Sequence, residues 1–258
     1  MSPFRTKKLP RYLGSNPSSL EETLINMLDF SRFDILTFDC YGTLINWEEG
    51  ILRCLRGLLA AHGAEANDGT ILRLYGEFEA DAEQGEYRNY RDVLGSVVER
   101  FGGEFGFAPS EEELHSLAGS LKEWKPWPDT VEALRVLGSR FRLAIISNVD
   151  DDLFAATRPR LRADFKQVVT AQQGRAYKPS LKIFELALSR VGVPTHRVLH
   201  VGQSLYHDVI PAQSLGLATV WVNRPSARKG VGAVRAAEAH PDLQVESLAE
   251  LAASVPLG

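Results

Sequence analysis

Leu36-Thr37-Phe38-Asp39-Cys40-Tyr41-Gly42-Thr43-Leu44-Ile45 is the stretch on which the reading of this chain turns. An apolar, β-prone run ends in a single carboxylate, Asp39. Gly42 then lets the backbone turn sharply, and Thr43 offers a hydroxyl and backbone donors close by. The pattern is that of a nucleophile held at the end of a buried strand. Its bland competitor is a core strand with one capping aspartate, so the surrounding sequence has to decide.

Downstream, the stretch from Trp47 to Trp124 reads as helices without intervening strands. Ile51, Leu55, Leu58 and Leu59 make one apolar face, Ile71, Leu74, Tyr75 and Phe78 a second, and Tyr90, Val93, Leu94, Val97, Val98 and Phe101 a third. Ser110 with Glu113 caps a fourth helix carrying Leu114, Leu117 and Leu121. The acidic run from Glu77 to Glu83 reads as a solvated helix face. Together these segments predict a small four-helix bundle.

Beyond Pro126 and Pro128, strands and helices alternate. Asp129 with Glu132 caps a helix; 143–146, 167–170, 198–201 and 218–222 read as strands. One helix opens at Ser180 and ends near Gly192, and another ends at Gly216. Continuous apolar strands alternating with helices predict an α/β fold with a parallel sheet covered on both faces, its ligands at the carboxyl ends of the strands. Upstream, Ser19 and Glu22 form a capping-box pattern for a short helix through Met27 and Leu28.

Composition narrows the function classes. The 258 residues suffice for a core without disulfides or metals, and a formal net charge of −4 with no basic block leaves no electrostatic footprint for nucleic acid. Only two cysteines are present, and residues 1–19 have basic groups but no apolar run of signal-peptide length. A cytoplasmic protein with no membrane span is expected.

The polar residues worth weighing fall just after the predicted strands. Ser147-Asn148 follows Ile146, Tyr177-Lys178-Pro179 lies beyond Thr170, and Gly202-Gln203-Ser204-Leu205-Tyr206-His207-Asp208 follows Val201. Strand ends of one parallel sheet converge, so these groups are expected to share a site with Asp39. Ser147 and Asn148 can donate to an anion, although a helix N-cap accounts for Asn148 equally well. Lys178 can hold Asp39 ionised by opposite charge. Asp208 is a second carboxylate, with a helix N-terminal aspartate as its bland alternative. His207 is read as structural or incidental.

These residues resemble the four motifs of the haloacid dehalogenase superfamily. The form Asp-x-Tyr-Gly-Thr looks like its L-2-haloacid dehalogenase (type II) branch. The resemblance implies a Rossmann-like α/β core with an inserted α-helical cap of four-helix bundle type. It divides the chain into an N-terminal extension with a short helix (1–30), a core (31–47 and 126–258) and a cap (48–125). It also implies catalysis by Asp39, Lys178 and Asp208, with Asp39 forming a covalent aspartyl ester and Asp208 helping to activate water.

Tyr41, Thr43, Ser147, Asn148, Trp47, Gln203 and Ser204 are then expected around a small anionic substrate. Arg73 is its expected carboxylate partner on the cap, with Arg88 and Arg91 as rivals. Phosphatase members carry acids where Tyr41 and Gln203 stand, so no metal and no cofactor are expected. The expected reaction is hydrolysis of short 2-haloacids to 2-hydroxy acids with inversion. A Mg²⁺-dependent phosphatase with an altered metal site, or a non-catalytic ligand-binding member of the same fold, are the alternatives. Relatives of this kind are often dimers, so a homodimer is the assembly the resemblance suggests.

Overall fold

β1 (Ile35–Phe38) is buried along its whole length, and its one polar side chain, Thr37, has its hydroxyl 2.9 Å from Nδ1 of His200 on a neighbouring strand. A computed structural model describes residues 28–224, 232–233 and 235–256. The helix expected after Ser19 lies outside them. Around β1 stand β2 (Arg142–Ser147), β3 (Phe165–Thr170), β4 (Val198–Gly202), β5 (Ala218–Val222) and β6 (Leu243–Val245). They form a six-stranded sheet in the order β3-β2-β1-β4-β5-β6, with every pairing parallel. The order reverses at β1, where crevices for ligands open in such sheets.

Between β1 and β2 the chain builds a helical layer. α1 (Trp47–Ala61), α2 (Asp68–Ala82) and α3 (Tyr90–Phe105) bury the three apolar faces read from the sequence. The fourth helix is divided: the capping box of Ser110 and Glu113 opens α4 (Glu111–Leu114), which tightens at His115 before α5 (Ser116–Ser120) and a short 3₁₀ turn. The chain leaves the sheet and returns to it side by side. Asn46 N donates to Lys125 O at 2.9 Å, and Ile45 pairs with Pro126.

α6 (Thr130–Gly138) starts where Asp129 predicts, but Asp129 does not cap it. Its carboxylate instead accepts from Arg224 Nη1 (3.1 Å) and from the backbone N–H of Leu248 (2.7 Å). Leu248 begins α11 (Leu248–Ser254), so the expected cap is an inter-element clasp. Four further helices complete the sheet's cover: α7 (Asp151–Leu161), α8 (Ala171–Gly174), α9 (Leu181–Val191) and α10 (Ile210–Ser214). α9 ends at Gly192, as its sequence predicts. Among the described residues no helix is long and apolar enough to cross a membrane.

Candidate active site

Asp39 follows β1 directly, and the turn behind it is set by Gly42 at φ +103°, a conformation that favours glycine. A side chain at 42 would also strike Gln203, whose Oε1 would lie 2.1 Å from its Cβ. Thr43 Oγ1 donates to Asp39 Oδ2 at 2.7 Å and accepts from Gln203 N at 2.9 Å. Thr43 thereby ties the first turn to the fourth. Asp39 is 7% exposed.

Lys178 is the hub of the cluster. It is buried, and its Nζ donates to Asp39 Oδ1 (2.8 Å), Asp208 Oδ1 (2.6 Å) and Ile146 O (3.1 Å). All three ammonium protons are thus placed. Asn148 holds the lysine's own peptide from both sides: its Oδ1 accepts from Lys178 N (2.7 Å), and its Nδ2 donates to Lys178 O (3.2 Å). Lys178-Pro179 is cis.

Asp208 rises from a single π-helical turn, Leu205–Val209, that follows β4. Its Oδ2 accepts from Ser204 N at 3.1 Å, and its Oδ1 lies 3.4 Å from His200 Nε2. Gly202 permits this closeness, because a Cβ there would fall 2.4 Å from Asp208 Cβ.

The three ionisable groups respond differently to burial. For Asp39, desolvation pushes the carboxyl up, the Lys178 ammonium pulls it down, and Asp208 pushes it up again; it stands above its ordinary value. Desolvation also opposes ionisation of Asp208, but Lys178 and His200 outweigh it and hold that carboxyl well below the usual range. Lys178 stays protonated, since the two carboxylates more than offset its loss of water. The cluster therefore sets two carboxyl groups against one ammonium.

Asp39, Lys178 and Asp208 border one cleft of about 60 Å³, together with Tyr41, Trp47, Ser147, Asn148, Gln203 and Ser204. Two of these carry polar atoms without a partner among the described residues: the fully buried Ser147 hydroxyl and the indole N–H of Trp47. Tyr41 directs its hydroxyl to Thr157 Oγ1 at 2.8 Å, and Ser204 Oγ accepts from His207 N at 3.0 Å, so both are engaged with protein. Arg73 is not brought to the cleft. It is half exposed on α2 and pairs with Glu77 at 2.8 Å, one turn away. Arg88 donates to Ser96 Oγ (3.1 Å) and Arg91 pairs with Asp152, both on exposed faces.

Where an arginine was expected, the helical layer supplies Glu79 and Glu83, with Tyr90 beside them. The acidic run is thus not solvated throughout, and among the described residues Glu77 alone of Glu77, Glu79 and Glu83 has an ion-pair partner. Glu79 Oε1 accepts from Tyr75 OH (2.8 Å) and from Tyr90 OH. The i,i+4 spacing from Tyr75 through Glu79 to Glu83 carried the signal, since it continues an apolar face. His207 also lines the cleft, and burial lowers its imidazole to about 4, leaving it neutral at pH 7.

A divalent metal does not fit these residues. Lys178 already occupies the space between Asp39 and Asp208, Tyr41 faces Thr157, and Gln203 brings a neutral amide. Among the described residues no three His, Cys, Asp or Glu side chains are grouped to hold an ion.

A family model described as haloacid dehalogenase-like hydrolase matches residues 33–216. An (S)-2-haloacid dehalogenase of Pseudomonas fluorescens is 24% identical over 83% of this chain and 92% of its own. The structure of L-2-haloacid dehalogenase from Xanthobacter autotrophicus with chloropropionic acid covalently bound superposes with a TM-score of 0.72 at 20% identity. It covers 86% of this chain and 97% of that one, a likeness of fold. A pyrimidine 5'-nucleotidase of Escherichia coli strain K12 is 34% identical over 38% of this chain and 45% of its own.

Proposed function

The chain belongs to the haloacid dehalogenase-like hydrolase family, and from that premise we propose that it hydrolyses carbon–halogen bonds of short 2-halo compounds through an ester on Asp39. The observation that carries this reading is the hydrogen bonding of Asp39. One oxygen is held by Lys178 and the other by Thr43, in a cleft where Tyr41 and Gln203 offer no second acid.

In this reading an Asp39 oxygen attacks the carbon bearing halogen, a C–O bond forms, and the halide leaves with the electron pair. Displacement at carbon inverts the centre, so an L-halide gives a D-hydroxy acid. Water then adds to Asp39 Cγ and the ester cleaves at the acyl side. One water proton ends on the product hydroxyl and the other is released. Ser147 and Trp47, whose hydroxyl and indole N–H have no partner among the described residues, line the same cleft.

Both oxygens of Asp208 are engaged and its carboxyl is held strongly acidic, so it enters as the group that positions Lys178 rather than as the base expected from the sequence. Residues 48–125 are taken as a cap over a core of 31–47 and 126–258. No step in this scheme uses a metal.

Halide release from 2-chloropropionamide and 2-chloropropionate in chelator tests the reading. Release should persist in chelator and vanish in Asp39→Asn; unchanged turnover in that variant would sink it. The likeness to a nucleotidase favours a second reading, a phosphoester hydrolase. Mg²⁺-stimulated turnover of phosphoesters, absent in chelator, would support it instead.

A further inference from the structure

The cleft is polar in opposite senses at its two ends. On the sheet side, Ser147 and Trp47 are at least nine-tenths buried, and the hydroxyl of one and the indole N–H of the other have no partner among the described residues. Groups so placed await an electronegative ligand atom. On the helical side stand Glu79 and Glu83, and the Glu83 carboxylate makes no hydrogen bond or ion pair among the described residues, although its backbone N–H donates to Glu79 O. Four carboxylates and a single ammonium, Lys178, border this cleft among the described residues. That ammonium is already shared by Asp39 and Asp208.

Arg175, Lys182 and Arg235 do not line this cleft but an adjoining outer one, which Glu79, Glu83 and Lys178 border as well. Arg235 lies 4.4 Å over the Tyr206 ring, and Arg175 4.9 Å over Tyr87. They border the mouth. A free carboxylate at the helical end would therefore meet Glu79 and Glu83, and among the described residues that line this cleft Lys178 is the one ammonium or guanidinium.

We propose that Glu83, backed by Glu79, is the specificity-determining group of the cleft and selects a substrate that carries an ammonium group remote from the reacting carbon, in place of a free carboxylate. This rests on the reading of Asp39 as nucleophile, which puts the reacting carbon at the sheet end. Burial raises both glutamates above their ordinary values, and the neighbouring Glu79 raises Glu83 further, so a cation beside them would be favoured.

Two arms test it separately. In ligand-observed NMR titrations of the wild-type protein, propylammonium should bind at least about tenfold more tightly than propionate, as a unit charge within a few ångströms of a half-buried carboxylate warrants. Equal or tighter binding of propionate overturns the proposal, and this arm needs no variant. In turnover assays, Glu83→Gln should raise kcat/KM for 2-chloropropionate by about tenfold, while the neutral 2-chloropropionamide changes by less than about threefold. An equal effect on acid and amide, or a loss on the acid alone, overturns it. If neither halide is released in an Asp39-dependent way, the dehalogenase reading fails while the titrations still decide the charge preference.

Discussion

Lys178 is the residue on which the site's electrostatics depend, because its ammonium is the sole cation within 3 Å of either buried carboxylate among the described residues. Replacing it by Met keeps the apolar stem and leaves Asp39 and Asp208 facing each other unbalanced. Removing one partner of a buried ionic cluster costs about 3–5 kcal/mol. Urea unfolding of Lys178→Met at pH 7.5 should show a loss of that order, partly recovered at pH 5 as one carboxylate takes a proton. A second prediction concerns Asp39 directly. It must be ionised to attack, and its pKa in the folded protein lies above the ordinary 3.8. The acid limb of kcat/KM should therefore have its midpoint above pH 3.8, with activity lost as pH falls through it. The same measurement on Thr43→Val should move that midpoint upward, since the Thr43 hydroxyl favours the charged form.

At the level of elements, the side chains that fix helix ends often come from elsewhere in the chain. Asn89 precedes α3 without capping it; Asp150, at the other side of the site, accepts from Tyr90 N and Arg91 N at 2.9 Å each. That carboxylate docks α3, and with it Tyr90, onto the loop after β2. Asp150→Ala should cost about 1–2 kcal/mol, the scale of a lost helix N-cap, in a thermal or urea melt. It should also raise KM, because Tyr90 lines the cleft. Asp129 shows the converse: a capping pattern with Glu132 leads to a clasp on Arg224 and α11. Local periodicity made α1 to α3, β1 to β5 and the end of α9 legible, since each is written in consecutive residues. α7 was not, because Pro159 and its charged residues blur any apolar face. β6 and α11 are short, and what orders them is pairing with β5 and the bond to Asp129.

Across the whole molecule, the meeting of the helical layer with the sheet is what the sequence concealed. The motif residues Asp39, Ser147, Asn148, Lys178 and Asp208 lie at or beyond the carboxyl ends of β1 to β4, so topology alone gathers them. The facing wall depends on how α2 is rotated against the sheet, and that rotation turns Arg73 outward with Glu77 while Glu79 and Glu83 face Lys178. Such a wall should leave a mark on global stability. Glu83 is half-buried beside Glu79, and its carboxyl is raised well above the ordinary 4.5 by desolvation first and by Glu79 second. Below pH 4.5 it is protonated in folded and unfolded chains alike and costs nothing. As pH rises past 4.5 the unfolded chain releases the proton while the folded one retains it, so stability falls until the folded group also ionises, and stays lower thereafter. Glu83→Gln removes that penalty. The variant should match the parent near pH 4 and exceed it by about 1 kcal/mol or more at pH 8, because a tenfold difference in acidity between the folded and unfolded chains amounts to about 1.4 kcal/mol. Paired urea melts at the two pH values check this. A stability difference that does not grow with pH would mean that the glutamate is solvated, as the acidic run alone implies, and that α2 presents a different face to the site.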